Sequence, residues 1–185
     1  IVNALKETGY HSSLESQLPV ANLITEQTPV KRFRAFKRQL DMEHAVARQQ
    51  WNDAHMTMHR EVFVSRAEDM VVYRLCAENA TESKELLEYR LELEAFRNEG
   101  EPANDAIQAV WRDAQTEAVC ENEHTGYLYF NSNRAQKDAR YTDFGAVARI
   151  SIADGCLECF ENKIKVRAAD QVLITIGLYV NEEKQ

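Results

Sequence analysis

The sequence predicts a mainly β protein, an antiparallel two-sheet β-sandwich with a short helical segment at its N-terminus. Three observations carry that prediction. Between Leu87 and Ala95, apolar Leu87, Tyr89, Leu91, Leu93 and Ala95 alternate with charged Glu88, Arg90, Glu92 and Glu94. That is the period of a strand with one face on a core and one in water, whereas helical spacing would scatter the glutamates around the circumference. The alternation returns at Phe144, Ala146, Ala148, Ile150 and Ile152. Read along the chain, such segments number about nine or more, beyond one comfortable open sheet, so two packed sheets are the natural solution.

The first thirty residues read as helical. Ile1, Val2, Ala4 and Leu5 form a short apolar stripe closed by Gly9, a suitable C-terminal cap. Ser12 or Ser13 can cap a second helix with Glu15 in its first turn, and Leu14, Leu18, Ala21 and Leu23 or Ile24 supply its apolar face. Pro19 should kink or divide this segment, and Thr28-Pro29 ends it. The period changes from Arg34 onward, and strands are expected over 34–180. Phe33 to Leu40 and Ala45 to Trp51 are two strands around a turn at Asp41 to His44, and Asn52-Asp53-Ala54 is a polar turn. Met56 to Val64 and Met70 to Ala77 form a hairpin across Ser65 to Asp69.

A turn through Asn79 to Lys84 leads into the strand at Leu87. Asn98 to Pro102 is a loop; Ile107, Val110, Trp111 and Ala114 have helical spacing, and Thr116 to Cys120 can be a strand. Tyr127 to Phe130 is a strand followed by a polar loop from Asn131 to Arg140. After the strand at Phe144 to Ile152, Asp154-Gly155 is a turn signal. Leu157 to Phe160 and Ile164 to Val166 flank a turn at Glu161 to Lys163. Val172 to Val180 is apolar on both faces and should lie centrally in its sheet.

With 185 residues the chain holds one domain of ordinary size, and 44% hydrophobic with 28% charged residues places it among folded globular proteins. No apolar run approaches the ~18 residues of a membrane-spanning helix, so no membrane partner is expected. The net charge of -8 repels phosphate backbones and argues against nucleic acid as a partner. Ile1 in place of methionine suggests a piece of a longer chain, and localisation leans cytoplasmic, with secretion the alternative. Cys76, Cys120, Cys156 and Cys159 allow two disulfides in three pairings, but a domain of this size builds a core without them. Free, half-buried thiols in a reducing compartment are therefore the expectation.

Local constellations of reactive residues carry little. Cys156-Leu157-Glu158-Cys159 has the spacing of a zinc knuckle or redox pair, but a structural zinc needs a second such pair and a redox pair opens a helix. His55 and His59 could share a metal only on a helix, since four strand residues span ~13 Å. His11, His44 and His124 have no companions in the sequence. No metal and no cofactor are expected. Asn79-Ala80-Thr81 matches a glycosylation sequon, a pattern common by chance. Glu82 to Glu94 is rich in carboxylates, which the alternation directs to solvent. Trp51 and Trp111, with seven tyrosines, are candidates for stacking on sugar rings or for an interface, against the plainer role of core residues.

Three stretches in order, Gln39-Leu40-Asp41-Met42-Glu43-His44-Ala45, His59-Arg60-Glu61-Val62-Phe63-Val64-Ser65 and Asp69-Met70-Val71-Val72-Tyr73-Arg74-Leu75, resemble the N-terminal β-sandwich domain of glycoside hydrolase family 95. Phe144 to Ile152 with Asp154-Gly155, and Val166-Arg167-Ala168-Ala169-Asp170-Gln171-Val172, are similar to later segments of that domain. Ala168 stands where the family has glycine, the family's first strands are missing, and its glycine-containing turn is absent between Pro29 and Phe36. The resemblance implies one sandwich domain over 1–185, a fragment of an α-L-fucosidase-like enzyme whose catalytic residues lie in a C-terminal helical barrel. No catalytic residue is carried onto this chain. The implied partners are that barrel and a fucosylated oligosaccharide, cleaved with inversion by a general acid and an activated water. A stand-alone carbohydrate-binding module and a structural or interaction domain are the alternatives.

Overall fold

The computed structural model describes residues 20–27, 33–53, 56–79, 87–95, 113–135 and 141–182. Twelve strands run through them in order: β1 (Asn22–Gln27), β2 (Phe33–Asp41), β3 (Val46–Asp53), β4 (Met56–Ser65), β5 (Met70–Asn79) and β6 (Leu87–Glu94), then β7 (Gln115–Cys120), β8 (Thr125–Ala135), β9 (Tyr141–Ile152), β10 (Cys156–Phe160), β11 (Lys163–Ala169) and β12 (Gln171–Glu182). They form two antiparallel sheets, a small one ordered β1-β6-β11-β10 and a large one ordered β2-β3-β4-β5-β12-β9-β8-β7. The predicted sandwich is the observed fold. β12, apolar on both faces, lies between β5 and β9 near the middle of the large sheet.

The two inner faces meet in one core. Tyr89, Leu91 and Leu93 of β6 and Ile164 and Val166 of β11 pack toward Leu128 and Phe130 of β8, Ala148 and Ile150 of β9, Val172 and Ile174 of β12 and Leu75 of β5. Every one of these side chains is buried, and full withdrawal from water contributes about 1.5–3 kcal/mol for each leucine, isoleucine, valine or phenylalanine among them. On β6 the residues between them point outward, where Arg90 meets Glu26 of β1 at 3.2 Å and Glu92 meets Lys163 of β11 at 2.7 Å. The alternation at 87–95 thus sorts one strand into a core face and an ion-paired face.

The turns fall close to where they are expected. β2 and β3 join through 42–45, with Ala45 at φ 53, and β4 and β5 through 66–69, with Asp69 at φ 51. The Asp154-Gly155 turn does not close a hairpin: it carries the chain from β9 in the large sheet to β10 in the small one. Gly155 has φ +83 and packs on the backbone of Ala168, leaving no room for a β-carbon. Two bulges interrupt the ladders. One lies between Arg34 and Lys37 of β2, around Ala35 at φ 52; the other lies between Val166 and Ala169 of β11, around Ala168 at φ 53.

Three expectations need correction. Asn22–Gln27 is a strand rather than the end of a helix. Leu23 and Thr25 pair with Leu93 and Leu91 of β6, and this distant partner, with β-branched Ile24 and Thr25, outweighs the local helical spacing. The polar stretch after Phe130 continues as strand to Ala135, because β9 begins earlier and pairs along it: Ser132 sits opposite Phe144 and is itself buried. Finally, Cys120 and Cys159 are joined in a disulfide, with Cα atoms 5.8 Å apart, while Cys76 and Cys156 are free and half-buried. The bond ties the end of β7 to β10 across the gap between sheets, a proximity that sequence spacing cannot register. It also separates the two members of the Cys156–Cys159 spacing. The helices expected over Ile1–Pro19, the segment from Asn98 to Trp111, His55 and the Ala80-Thr81 half of the sequon lie outside the described residues.

Candidate functional site

Three polar or aromatic constellations stand out on this framework. The first crosses the outer face of the large sheet. Alternation sends Arg48 of β3, Glu61 of β4, Arg74 of β5 and Gln171 of β12 to the same side, and the antiparallel register sets Arg48 opposite Glu61 and Glu61 opposite Arg74. Arg48 Nη1 donates to Asp41 Oδ2 at 3.0 Å and its Nε to Glu61 Oε1 at 2.9 Å. Arg74 Nη1 lies 3.5 Å from Glu61 Oε2, and its Nη2 donates to Gln171 Oε1 at 3.0 Å. A continuous ladder thus spans five neighbouring strands.

The ladder fixes charge rather than poising it. The backbone N–H of His44, then the Arg48 guanidinium, holds the Asp41 carboxyl down at about 2. Arg48 is raised by Glu61 first and Asp41 second. A general acid for glycoside cleavage needs the opposite shift, a carboxyl kept protonated near neutral pH. Asp41 is therefore a structural anion. Beside the ladder, His59 Nε2 lies 3.5 Å from Glu78 Oε2, an electrostatic contact without hydrogen-bond geometry.

The second constellation is buried between the sheets and contains Trp51. Its ring is 4% exposed and lies beside Phe33 with centroids 6.3 Å apart. Arg60 spans it: the guanidinium carbon stands 5.4 Å from the Trp51 ring centre and 5.7 Å from that of Tyr73. Two aromatic faces thereby stabilise one cation in a desolvated setting. Burial pushes the Tyr89 phenol up to about 12, and burial likewise raises Tyr73, opposed there by a hydrogen bond with Thr25. Tyr89 Oη donates to Gln27 Oε1 at 3.3 Å, tying β6 to β1. Trp51 is thus a core residue at the join between the layers, whereas Trp111 lies outside the described residues.

The third constellation lies on the outer face at the other end of the large sheet. Gln115, Asn131, Gly145 and Tyr179 form one row across β7, β8, β9 and β12, and Glu117, Tyr129, Val147 and Gly177 form the next. Gln115, Glu117, Tyr129, Asn131, Val147 and Tyr179 of these rows line an open depression of about 430 Å³. Tyr129 is exposed, and its ring stacks toward Tyr127 at 6.2 Å between centroids. The sequence places tyrosines on this side by alternation, but only register brings Tyr179, fifty positions away in the chain, beside Tyr129's row.

The chain belongs to the family described as "Glycosyl hydrolase family 65, N-terminal domain", whose model matches residues 2–183. No curated protein matches it as a relative. A glycosyl hydrolase N-terminal sandwich domain is thus shown by sequence family and by fold together, and the family description places such a domain in a larger carbohydrate-acting enzyme.

Proposed function

We propose that this chain is the non-catalytic N-terminal sandwich of an α-L-fucosidase-like glycosidase, similar to family 95. Support comes chiefly from the colinear segments of that resemblance, which fall in order on β2–β3, β4, β5, β9 and the β11–β12 junction. The substitution at Ala168 sits at a bulge with φ 53, where the family's glycine is the residue that backbone favours. The single domain over 1–185 then serves a helical-barrel catalytic domain, C-terminal in the complete protein. That barrel supplies the protonated carboxyl and the water-activating base for inverting cleavage of a terminal α-L-fucosyl linkage.

In this reading the sandwich buttresses the barrel. Phe33, Phe36 and Leu40 of β2, between 48% and 63% exposed, offer an apolar face for that contact. The test compares the complete protein with the 185-residue chain on p-nitrophenyl α-L-fucoside and α-L-galactoside. The complete protein releases the sugar and the isolated chain releases none. Fucose release by the isolated chain, or hydrolysis by the complete protein of other glycosides only, overturns the proposal.

A further inference from the structure

The depression on the outer face of β7, β8, β9 and β12 has a chemistry that the buttress role does not use. Two glycines lie in the rows of residues that line it. A β-carbon on Gly145 would fall 2.5 Å from the Tyr179 phenolic oxygen and 2.6 Å from its Cζ, so the Tyr179 ring lies across Gly145 and close to the sheet. A β-carbon on Gly177, opposite Val147 and one row from Tyr179, would meet nothing within 4 Å. One glycine thus seats an aromatic ring and the other leaves clear space beside it. Tyr129, 37% exposed, stands on β8 in the same row, across Val147 from Gly177. Gln115, Glu117 and Asn131, all exposed, line the same depression.

We propose that this surface holds a neutral oligosaccharide, its pyranose faces packed on Tyr129 and Tyr179 and its hydroxyls hydrogen-bonded by Gln115, Asn131 and Glu117. Each part follows from recognition chemistry. A tyrosine ring offers an apolar face with a polar tip, which suits the C–H face of a sugar whose rim carries hydroxyls. Amides both donate and accept, and a carboxylate accepts from two neighbouring hydroxyls. Four neighbouring strands span about 14 Å, a width for several sugar units rather than one. The net charge of -8 and Glu117 within the site turn away sulfated or uronic chains and nucleic acid, which would also stack on tyrosine. The assignment does not depend on which glycosidic bond the parent enzyme cuts.

Native affinity electrophoresis of the 185-residue chain through gels containing soluble starch, xylan, galactomannan or xyloglucan tests the assignment. At least one polysaccharide retards the chain, and Tyr129→Ala weakens the retardation at least tenfold. Gly177→Val adds bulk to the clear space beside Val147 without removing an aromatic ring and does the same. Phe160→Ala, an exposed aromatic on the small sheet, leaves it unchanged. Mobility unaltered in all four gels overturns the proposal, as does retardation that survives both Tyr129→Ala and Gly177→Val. A change in sedimentation on Tyr129→Ala with no polysaccharide effect assigns the surface to a protein contact instead. Fucose release by the complete protein is a separate readout, so failure here leaves the proposed parent activity standing.

Discussion

Removing the Cys120–Cys159 bond is the perturbation with the best-defined magnitude. The two cysteines are 39 positions apart, and for a loop of that length the chain-entropy relation gives about 4 kcal/mol of stabilisation at 25 °C, through restriction of the unfolded chain. The native corner is held by other bonds as well: Leu157 N–H donates to the Glu123 carbonyl at 2.8 Å and Ile152 N–H to the His124 carbonyl at 3.1 Å. Cys120→Ala/Cys159→Ala should therefore fold to the same sandwich and lose stability mainly through a freer unfolded state. Urea unfolding followed by tryptophan fluorescence reads this directly. The double variant should lose roughly 3–4 kcal/mol and show a larger denaturant slope, since its unfolded chain exposes more surface. Reduced wild type should match the variant. Thiol titration in denaturant should find only Cys76 and Cys156 free before reduction and all four cysteines of the chain after it. A loss below about 1 kcal/mol, or four free thiols without reductant, refutes the reasoning.

Three further outcomes follow from the core and the backbone. Ala168→Gly should stabilise the domain by about 0.5–1 kcal/mol, because relief of the left-handed strain at φ 53 exceeds the entropy of a freer unfolded chain; a lower urea midpoint would contradict it. Leu91→Ala, at a fully buried position opposite Ile164, should cost about 3–5 kcal/mol in the same assay. Tyr89 keeps its proton to about pH 12 in the folded state against an ordinary value of 10, so the unfolded state ionises first. Its contribution is intact below pH 10 and is lost as pH rises toward 12, by on the order of 2 kcal/mol. Tyr89→Phe should flatten the alkaline limb of stability against pH, and an unchanged limb would show that another group governs it.

Much of this architecture is legible in the order of residues because sheet faces impose a period of two. Leu87 to Ala95, Phe144 to Ile152 and Val172 to Val180 each declare a strand and, for the last, a central place. What depends on distant partners is not legible. Leu23 and Ile24 satisfy a helical stripe as well as a strand, and only β6 beside them decides. Asn131 to Ala135 reads as loop until β9 supplies the matching ladder. Cys120 and Cys159 give no local sign of each other. The tyrosine depression shows the same limit: Tyr127 and Tyr129 advertise an aromatic face, but the join of Tyr179 to it, and the placing of Gly145 and Gly177 in its rows, are consequences of register across three strands. Trp51, conspicuous by type, is sealed inside beside Arg60 instead.

The kink in β2 has a consequence for the crowded solution in which such a domain is made. β2 ends the large sheet, and a straight terminal strand there would present a template on which another chain could continue the sheet into fibrils. The extra residue at Ala35 bends that row of donors and acceptors out of line, and exposed Arg34, Lys37 and Arg38 bring like charges together when two copies approach edge to edge. Straightening the strand by deleting Ala35 removes that safeguard while leaving most of the interior packing in place.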